Sequence, residues 1–444
     1  MTQNYLKNGA FYGHVLLKTD IDELNKPVWE LNTYYVGKVG KLDIDLNATI
    51  LQRKTESHLN QQELSKELGD RTITTLNNDD RRMVAGKLVL AYPVWKGVLS
   101  GGSEATSTQS EGRNVNQEGI IPEADNEMKE KNIAGFAEYE LQLGQWRLNA
   151  GLRYEHVKAD YYSFDEWQQE PSRTYNDWFP NLSAAWQKDK WNAQLSYSKR
   201  ITRPPYRMLE SMIVYDSRMF YEGGNPLLRP SVRQSIDFNL TYSWLTFITG
   251  FTRENDLFTH IGRVYDEEKE IAIFQPVNFD HQDRVYATLV VSPKLGFWQP
   301  TATLHYYQQM FDAEAYGTPK KLNKPEFSFD LKSWFVINPT LKALVHVSYT
   351  GSNHWAFMYR GDSFAVNARL QKSFMKERLS GTLYANDIFR TSKSNITTFY
   401  AIGQTAQDVY TYTQLVGLTL SYNFNASRSK YKGSGAGNDE KNRL

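Results

Sequence analysis

The chain has 444 residues, with 51 Lys and Arg against 50 Asp and Glu, a net charge of +1, and no cysteine. The balanced charge excludes a global pull toward nucleic acid or anionic lipid, and the lack of cysteine suits export through an oxidising periplasm. Aromatic residues make up 14% of the chain, including 28 Tyr and 11 Trp, and their positions have to account for them.

No stretch approaches the ~18–20 consecutive apolar residues that a spanning helix needs, and the mean hydropathy is −0.59. A low average does not argue against a membrane protein whose strands put only alternate residues into lipid. The opening residues 1–8 carry neither the basic nor the apolar region of a signal peptide, so the chain is expected to be a processed product or an N-terminally truncated frame.

In chain order, the first expected strand lies near residues 11–19. Next, Leu42, Ile44, Leu46, Ala48 and Ile50 alternate with Asp43, Asp45, Asn47 and Thr49. Trp146, Leu148, Ala150, Leu152 and Tyr154 alternate with Arg147, Asn149, Gly151, Arg153 and Glu155. Trp191, Ala193, Leu195 and Tyr197 face away from Asn192, Gln194, Ser196 and Ser198, and Ile236, Phe238, Leu240, Tyr242 and Trp244 from Ser235, Asp237, Asn239, Thr241 and Ser243. Residues 410–424 close the series, ending on Phe424. Successive strand side chains point to opposite faces, so each segment has one apolar and one polar face. Runs of about ten residues match a tilted membrane crossing, whereas soluble strands average ~5–6. Many of the apolar faces begin or end on Trp, Tyr or Phe, as an interfacial girdle requires.

The connections alternate in length. Short turns are expected near residues 37–40, 92–96, 144–145, 188–190, 244–245, 293–296, 338–340 and 374–378. Long polar loops are expected at 55–80, 101–131, 161–177, 202–231, 311–325, 351–362 and 390–408. Short periplasmic turns opposite long external loops are characteristic of outer-membrane barrels, and the pattern gives a large all-β antiparallel transmembrane barrel of about 18 strands, give or take a pair. The barrel spans residues 1–424, and the polar, Gly- and Ser-rich stretch 425–444 reads as a flexible periplasmic tail.

Two sets of side chains are candidates for function. Loop aromatics Tyr161, Tyr162, Trp167, Trp355 and Tyr359 could catch a ligand, or belong to the outer girdle. Inward charges Arg147, Arg153, Glu155 and Asp237 could steer solutes or grip a plug, or simply be the solvated lumen face. The acidic excess in 101–131 reads as a solvated mobile loop. The eight histidines are scattered, without metal-ligand spacing, and no nucleophile elbow, Walker loop or dinucleotide fingerprint appears. No cofactor, metal or catalytic activity is expected.

Several blocks resemble TonB-dependent outer-membrane receptors. Tyr197-Ser198-Lys199-Arg200-Ile201-Thr202-Arg203-Pro204-Pro205-Tyr206 resembles their "YSRR-x-xRPSY" block, and Gly224-Asn225-Pro226-Leu227-Leu228-Arg229-Pro230 their "GNPNLKPE" block. Asn386-Asp387-Ile388-Phe389 is similar to their "NDIF", and Gly151-Leu152-Arg153-Tyr154-Glu155 to their "GLRYE". The closing strand and the end Glu440-Lys441-Asn442-Arg443-Leu444 resemble the outer-membrane β-barrel branch common in Bacteroidota. The resemblance covers roughly residues 9–444 and implies a receptor importing a scarce nutrient (a siderophore, glycan or similar) into a Gram-negative cell. The partners it implies are the outer-membrane lipid bilayer, the barrel assembly machinery, TonB, a plug domain or a surface lipoprotein. The family's signal peptide, plug and TonB box have no counterpart in these residues, which leaves a passive porin-like channel as the alternative.

Overall fold

The structure, a computed structural model, describes all residues except 1, 8–9, 312–320, 401–402, 410–412 and 425–434. Strands β1 (Thr2–Lys7) and β2 (Ala10–Asn25) form a hairpin. β3 (Trp29–Val39), β4 (Leu42–Leu64), β5 (Arg71–Val94), β6 (Gly97–Asn116), β7 (Ala124–Leu143), β8 (Trp146–Ser163), β9 (Glu166–Lys188) and β10 (Trp191–Thr202) follow as a meander. A 3-10 turn (Tyr206–Leu209) and the hairpin of β11 (Ile213–Ser217) and β12 (Phe220–Gly223) interrupt it. It resumes with β13 (Ser231–Tyr242), β14 (Leu245–Asp266), β15 (Ile271–Val291), β16 (Trp298–Met310), β17 (Glu326–Asn338) and β18 (Leu341–Thr350). Two outer hairpins, β19 (Asn353–Trp355) with β20 (Met358–Arg360) and β23 (Ser394–Tyr400) with β24 (Gly403–Val409), pair into a separate four-stranded sheet. Between and after them, β21 (Ser363–Phe374), β22 (Leu379–Asn386) and β25 (Leu415–Tyr422) complete the wall, and a one-turn helix, α1 (Asn438–Lys441), follows.

β2 and β3 pair with the upper and lower halves of the same strand, β4, and so share one place in the wall. Every later wall strand pairs antiparallel with the next, giving seventeen places round the wall, with β1 as part of an eighteenth. This agrees with the expected count. Among the described residues, β3 pairs with β4 alone and β25 with β22 alone, so both present a lateral edge, and both are solvent-exposed on their two faces.

All eight expected short turns are present, from the link between β3 and β4 to that between β21 and β22. Several rest on left-handed residues, including Gly40 (φ 62) and Gly144 (φ 58), where glycine relieves the Cβ clash that a tight hairpin turn imposes.

The face assignment holds in detail. On β4, Leu46 and Ile50 are about half exposed, while Asn47 and Thr49 are buried inside. On β8, Leu152 faces out and Glu155 is buried, and Leu195 on β10 and Ile236 on β13 face out. The apolar outer band has a sharp upper limit. Ile50 pairs with Val84 in the last apolar row; one row higher Gln52 meets Arg82, and the row above sets Lys54 against Asp80. Across the barrel, Phe251 pairs with Val285, and the row above sets Arg253 against Asp283. Those outward charges form ion pairs, Arg82 to Asp80 at 2.6 Å and Arg253 to Asp283 at 2.6 Å, where the outer surface meets water. Near the turns, the Trp191 and Tyr242 rings pack at a tilt, 4.3 Å between centroids, as part of the lower girdle.

Several expected loops differ from the structure: 390–408 is mostly the outer hairpin β23–β24, and three others are largely wall strand. Most of 55–80, 101–131 and 161–177 is strand, because β4 to β9 continue well past the apolar band; β8 and β9 are joined by residues 164–165 alone. Above lipid both faces of a strand meet water, so polar composition there marks height rather than a turn. The acidic run 101–131 is therefore two paired strands, whose Thr106, Thr108, Ser110 and Glu130 are buried inward. The tail also differs. Of the expected flexible segment, residues 425–434 lie outside the described residues, but 435–444 is packed inside the barrel: Ala436 is 1% exposed and Glu440 3%.

Candidate functional site

The lumen holds the densest polar chemistry of the molecule. Strand alternation sends Glu104, Glu130, Arg153 and Glu155 inward from β6, β7 and β8. The segment after β10 turns in to meet them. Arg203 donates to Glu155 at 2.5 Å, and Arg153 donates to Glu155 at 2.6 Å and to Glu104 at 3.3 Å. Tyr206, 1% exposed, donates its hydroxyl to Glu130 at 3.1 Å.

The hairpin β11–β12 is pulled into the same space. Glu63, fully buried, accepts from Arg218 at 2.6 Å and from the Tyr215 hydroxyl at 2.7 Å. Tyr215 and Tyr221 pack with Ile73, Ile121, Ile271 and Ile273, and β12 adds a short parallel pairing to β15. Residues 203–230 thus fold down into the barrel. Asn225 locks their return, with its N–H on the Met208 carbonyl at 2.6 Å and its amide on the Pro276 carbonyl at 3.0 Å.

Two of the cavities among the described residues border the inserted segment or its ion pairs. A cavity of about 660 Å³ is lined by Arg153, Glu155, Lys199, Arg200, Asp237 and Asp439. A larger one, about 1050 Å³, is lined by Asp79, Arg81, Arg207, Glu210, Lys441 and Leu444. In the second, burial and the neighbouring Asp79 carboxylate push the Glu210 carboxyl up to about 7, against the opposing pull of Arg81 at 3.4 Å.

The expected site residues fall in several places. Arg153, Glu155, Arg200 and Asp237 converge on the first chamber, whereas Arg147 sits near the short-turn end beside Glu140 at 3.6 Å. Arg203, Pro204, Gly224, Asn225 and Pro226 build and hold the inserted segment: Arg203 on Glu155, the Pro204 carbonyl on Arg443, Gly224 N–H on the Met212 carbonyl at 3.2 Å, and Pro226 against the same small pocket as Pro204. Tyr197 braces the wall through Gln234 at 3.1 Å. Asp387 caps a turn by accepting from the Thr391 and Ser392 N–H groups, next to Asn386 at the end of β22, while Phe389 points outward. Phe424 is exposed beyond β25.

The loop aromatics do not form one cluster. Tyr161 is buried with Met128, Tyr206, Leu209 and Leu228, so its ring supports the inserted segment instead of facing outward. Tyr162 lies under the Lys129 ammonium at 4.7 Å, cross-strand from exposed Trp167. Trp355 and Tyr359 belong to the separate outer sheet, with Arg360 over Trp355 at 3.7 Å and Lys324 over Tyr359 at 4.9 Å.

Sequence reasoning passed over Glu63, Arg81, Glu130, Glu210, Arg218 and Arg443. Glu130 was visible only as one acid in a run whose composition reads as a loop, and Arg443 lay in a stretch whose composition reads as tail.

The outer apolar band, the sharp charged rim and the polar interior are those of a membrane barrel. A model of the outer membrane protein beta-barrel family matches residues 37–422. The chain belongs to that family. It is an integral protein of the outer membrane. No curated protein matches the sequence. Solved structures with a similar fold include the ferric yersiniabactin uptake receptor FyuA from Yersinia pestis (TM-score 0.59, 11% identity, covering 93% of this chain and 62% of FyuA). The copper transporter OprC (TM-score 0.56, 13% identity, 86% and 71%) and FpvA of P. aeruginosa, determined with bound pyoverdine and iron (TM-score 0.54, 10% identity, 94% and 58%), are also similar. The barrel therefore spans less than two thirds of the length of FyuA and FpvA. At these identities the likeness is one of fold, and at that level it bears out the resemblance to TonB-dependent receptors.

Proposed function

We propose that this family member is the membrane part of a TonB-dependent receptor, which binds a scarce nutrient at the outer face and passes it through the lumen. The observation that carries the reading is the inserted segment 203–230: buried ion pairs at Glu155–Arg203 and Glu63–Arg218 hold it across the passage. A diffusion pore gains nothing from an obstruction fixed by buried charge, whereas a receptor needs a passage that stays shut until it is driven open. The short, well-paired wall ends opposite a built-up outer rim suit capture from outside. FyuA, OprC and FpvA are described by ferric yersiniabactin uptake, copper transport and pyoverdine binding, and a chelated metal ion is the corresponding cargo class here. TonB, a plug domain and the assembly machinery are the partners this reading requires.

The test is uptake of labelled ferric chelates by cells that make the protein, with and without collapse of the inner-membrane proton gradient. Gradient-dependent uptake is expected. A barrel that instead admits small sugars into liposomes at a porin's rate, with no dependence on the gradient, is the passive channel.

A further inference from the structure

The segment 435–444 runs up the inner wall and is gripped along its length. The Gly435 N–H donates to Asn47 at 3.2 Å and the Gly437 N–H to Glu104 at 3.0 Å. Asn132 donates to Glu440 at 3.0 Å, and Lys441 pairs with Glu30. Ala436 packs with Leu51, Met83 and Ala85, with Leu444 against the same cluster. The partners come from five consecutive strands, β3 to β7, so one arc of the lumen is shaped to this peptide.

Its far end does more than fill space. Arg443 Nη2 donates to Glu130 at 3.0 Å and Nε to the Pro204 carbonyl at 3.1 Å, while its guanidinium lies 4.3 Å over the Tyr206 ring. In return the Tyr206 N–H donates to the Arg443 carbonyl at 3.2 Å. Burial alone would disfavour the Arg443 cation, but Tyr206 and Glu130 outweigh it and hold the guanidinium charged above its ordinary range. Glu130 is thus shared by the two segments, taking the Tyr206 hydroxyl from one and the Arg443 guanidinium from the other.

We propose that the β3–β7 arc of the lumen is a binding site for the chain's own segment 435–444, and that this peptide tethers the inserted segment 203–230 in its closed position. Undocking of the peptide takes the guanidinium from Glu130, leaving that buried carboxylate with the Tyr206 hydroxyl alone, and removes Arg443 from the Pro204 carbonyl and from the N–H and ring of Tyr206, so the inserted segment loosens with it. The peptide follows β25, whose last residues lie beside the short-turn end of the wall, and so links that end of the barrel to the segment that closes the passage. The proposal stands on the barrel and its lumen and is independent of what is imported.

The chain has no cysteine, so single cysteines report accessibility without background. Ala436→Cys places a reporter in the peptide and Leu228→Cys one in the inserted segment; the native side chains are 1% and 2% exposed. Reaction with a water-soluble maleimide is followed in the full chain in lipid vesicles, alone and with Arg443→Glu. Reversing one partner of a buried ion pair is expected to raise the rate about a hundredfold at both sites. The charge-swapped pair Glu130→Arg with Arg443→Glu is expected to restore protection at both, which separates loss of the clamp from general misfolding. Opening at 436 with unchanged protection at 228 would overturn the tether, and unchanged protection at both would overturn the clamp. Failure of the swap to restore either site would also overturn the clamp. None of these outcomes bears on uptake, which tests the import reading separately.

Discussion

Arg203 reaches Glu155 inside the barrel at 2.5 Å, with both side chains almost wholly removed from solvent. The pair joins the wall, through β8, to the first residues of the inserted segment. Arg153 supports it from the same strand, and the adjoining chamber opens beside it.

Removing one partner leaves the other charge buried and unpaired. Arg203→Ala is expected to cost about 3–5 kcal/mol, with Arg203→Lys milder because it keeps the charge. Urea unfolding from lipid vesicles, followed by tryptophan fluorescence, reads the difference. The double variant Arg203→Ala with Glu155→Gln should cost less than the sum of the two single changes, as expected for residues in contact.

Leu148 and Asn149 are neighbours on β8 that face lipid and lumen. Leu148→Arg is expected to cost about 1–3 kcal/mol, below the midplane value because Leu148 lies one outward row from the short-turn end. Asn149→Arg is expected to be mild, because Asn149 already donates to Glu138 at 2.5 Å and an arginine there gains an acidic partner. A refolding titration into vesicles gives both values, and equal losses would contradict the face assignment.

Glu210 sets a pH dependence. Its carboxyl is pushed up to about 7 in the folded barrel, from an ordinary value of 4.5. The folded state therefore holds a proton that the unfolded chain has released, and stability falls as pH rises between these two values, levelling off above the upper one. The span corresponds to roughly 3 kcal/mol. Urea midpoints at the two ends of that window should differ in the wild type, and Glu210→Gln should remove this component.

Gly224 is fixed by close approach. A Cβ there would sit 2.3 Å from the Glu210 carbonyl and 3.0 Å from those of Arg207 and Met208, all backbone atoms of the inserted segment. Gly224→Ala is expected to cost about 1–3 kcal/mol, and to appear as faster protease cleavage within 203–230 while the wall stays resistant.

Much of the wall was legible because lipid imposes a period of two. Leu46 against Asn47, or Leu152 against Glu155, can be assigned to opposite faces from alternation alone, and so can the short turns that interrupt it. Composition failed above the bilayer: residues 101–131 read as a loop, since a strand with water on both sides has no apolar stripe to mark it. Within the site, Glu155 was visible as an inward position and Arg203 as part of a motif, yet nothing in either indicated that they meet. Long-range partners such as Glu130 and Arg443 are brought together only when the segment after the last wall strand packs against the inner face of β7. Gly435, Gly437 and Lys441, residue types that suggested a mobile tail, are the ones that meet Asn47, Glu104 and Glu30 of the β3–β7 arc.

The claim beneath all of this is that one face of each wall strand meets hydrocarbon and the other meets water. A single-cysteine scan from 146 to 155 on β8, in vesicles, tests it most directly. Even positions should resist a water-soluble maleimide and take up a lipid-soluble one, with odd positions from 147 to 153 the reverse and 155 shielded by its ion pairs. A scan without that alternation, or with water reaching both faces equally, would contradict the account.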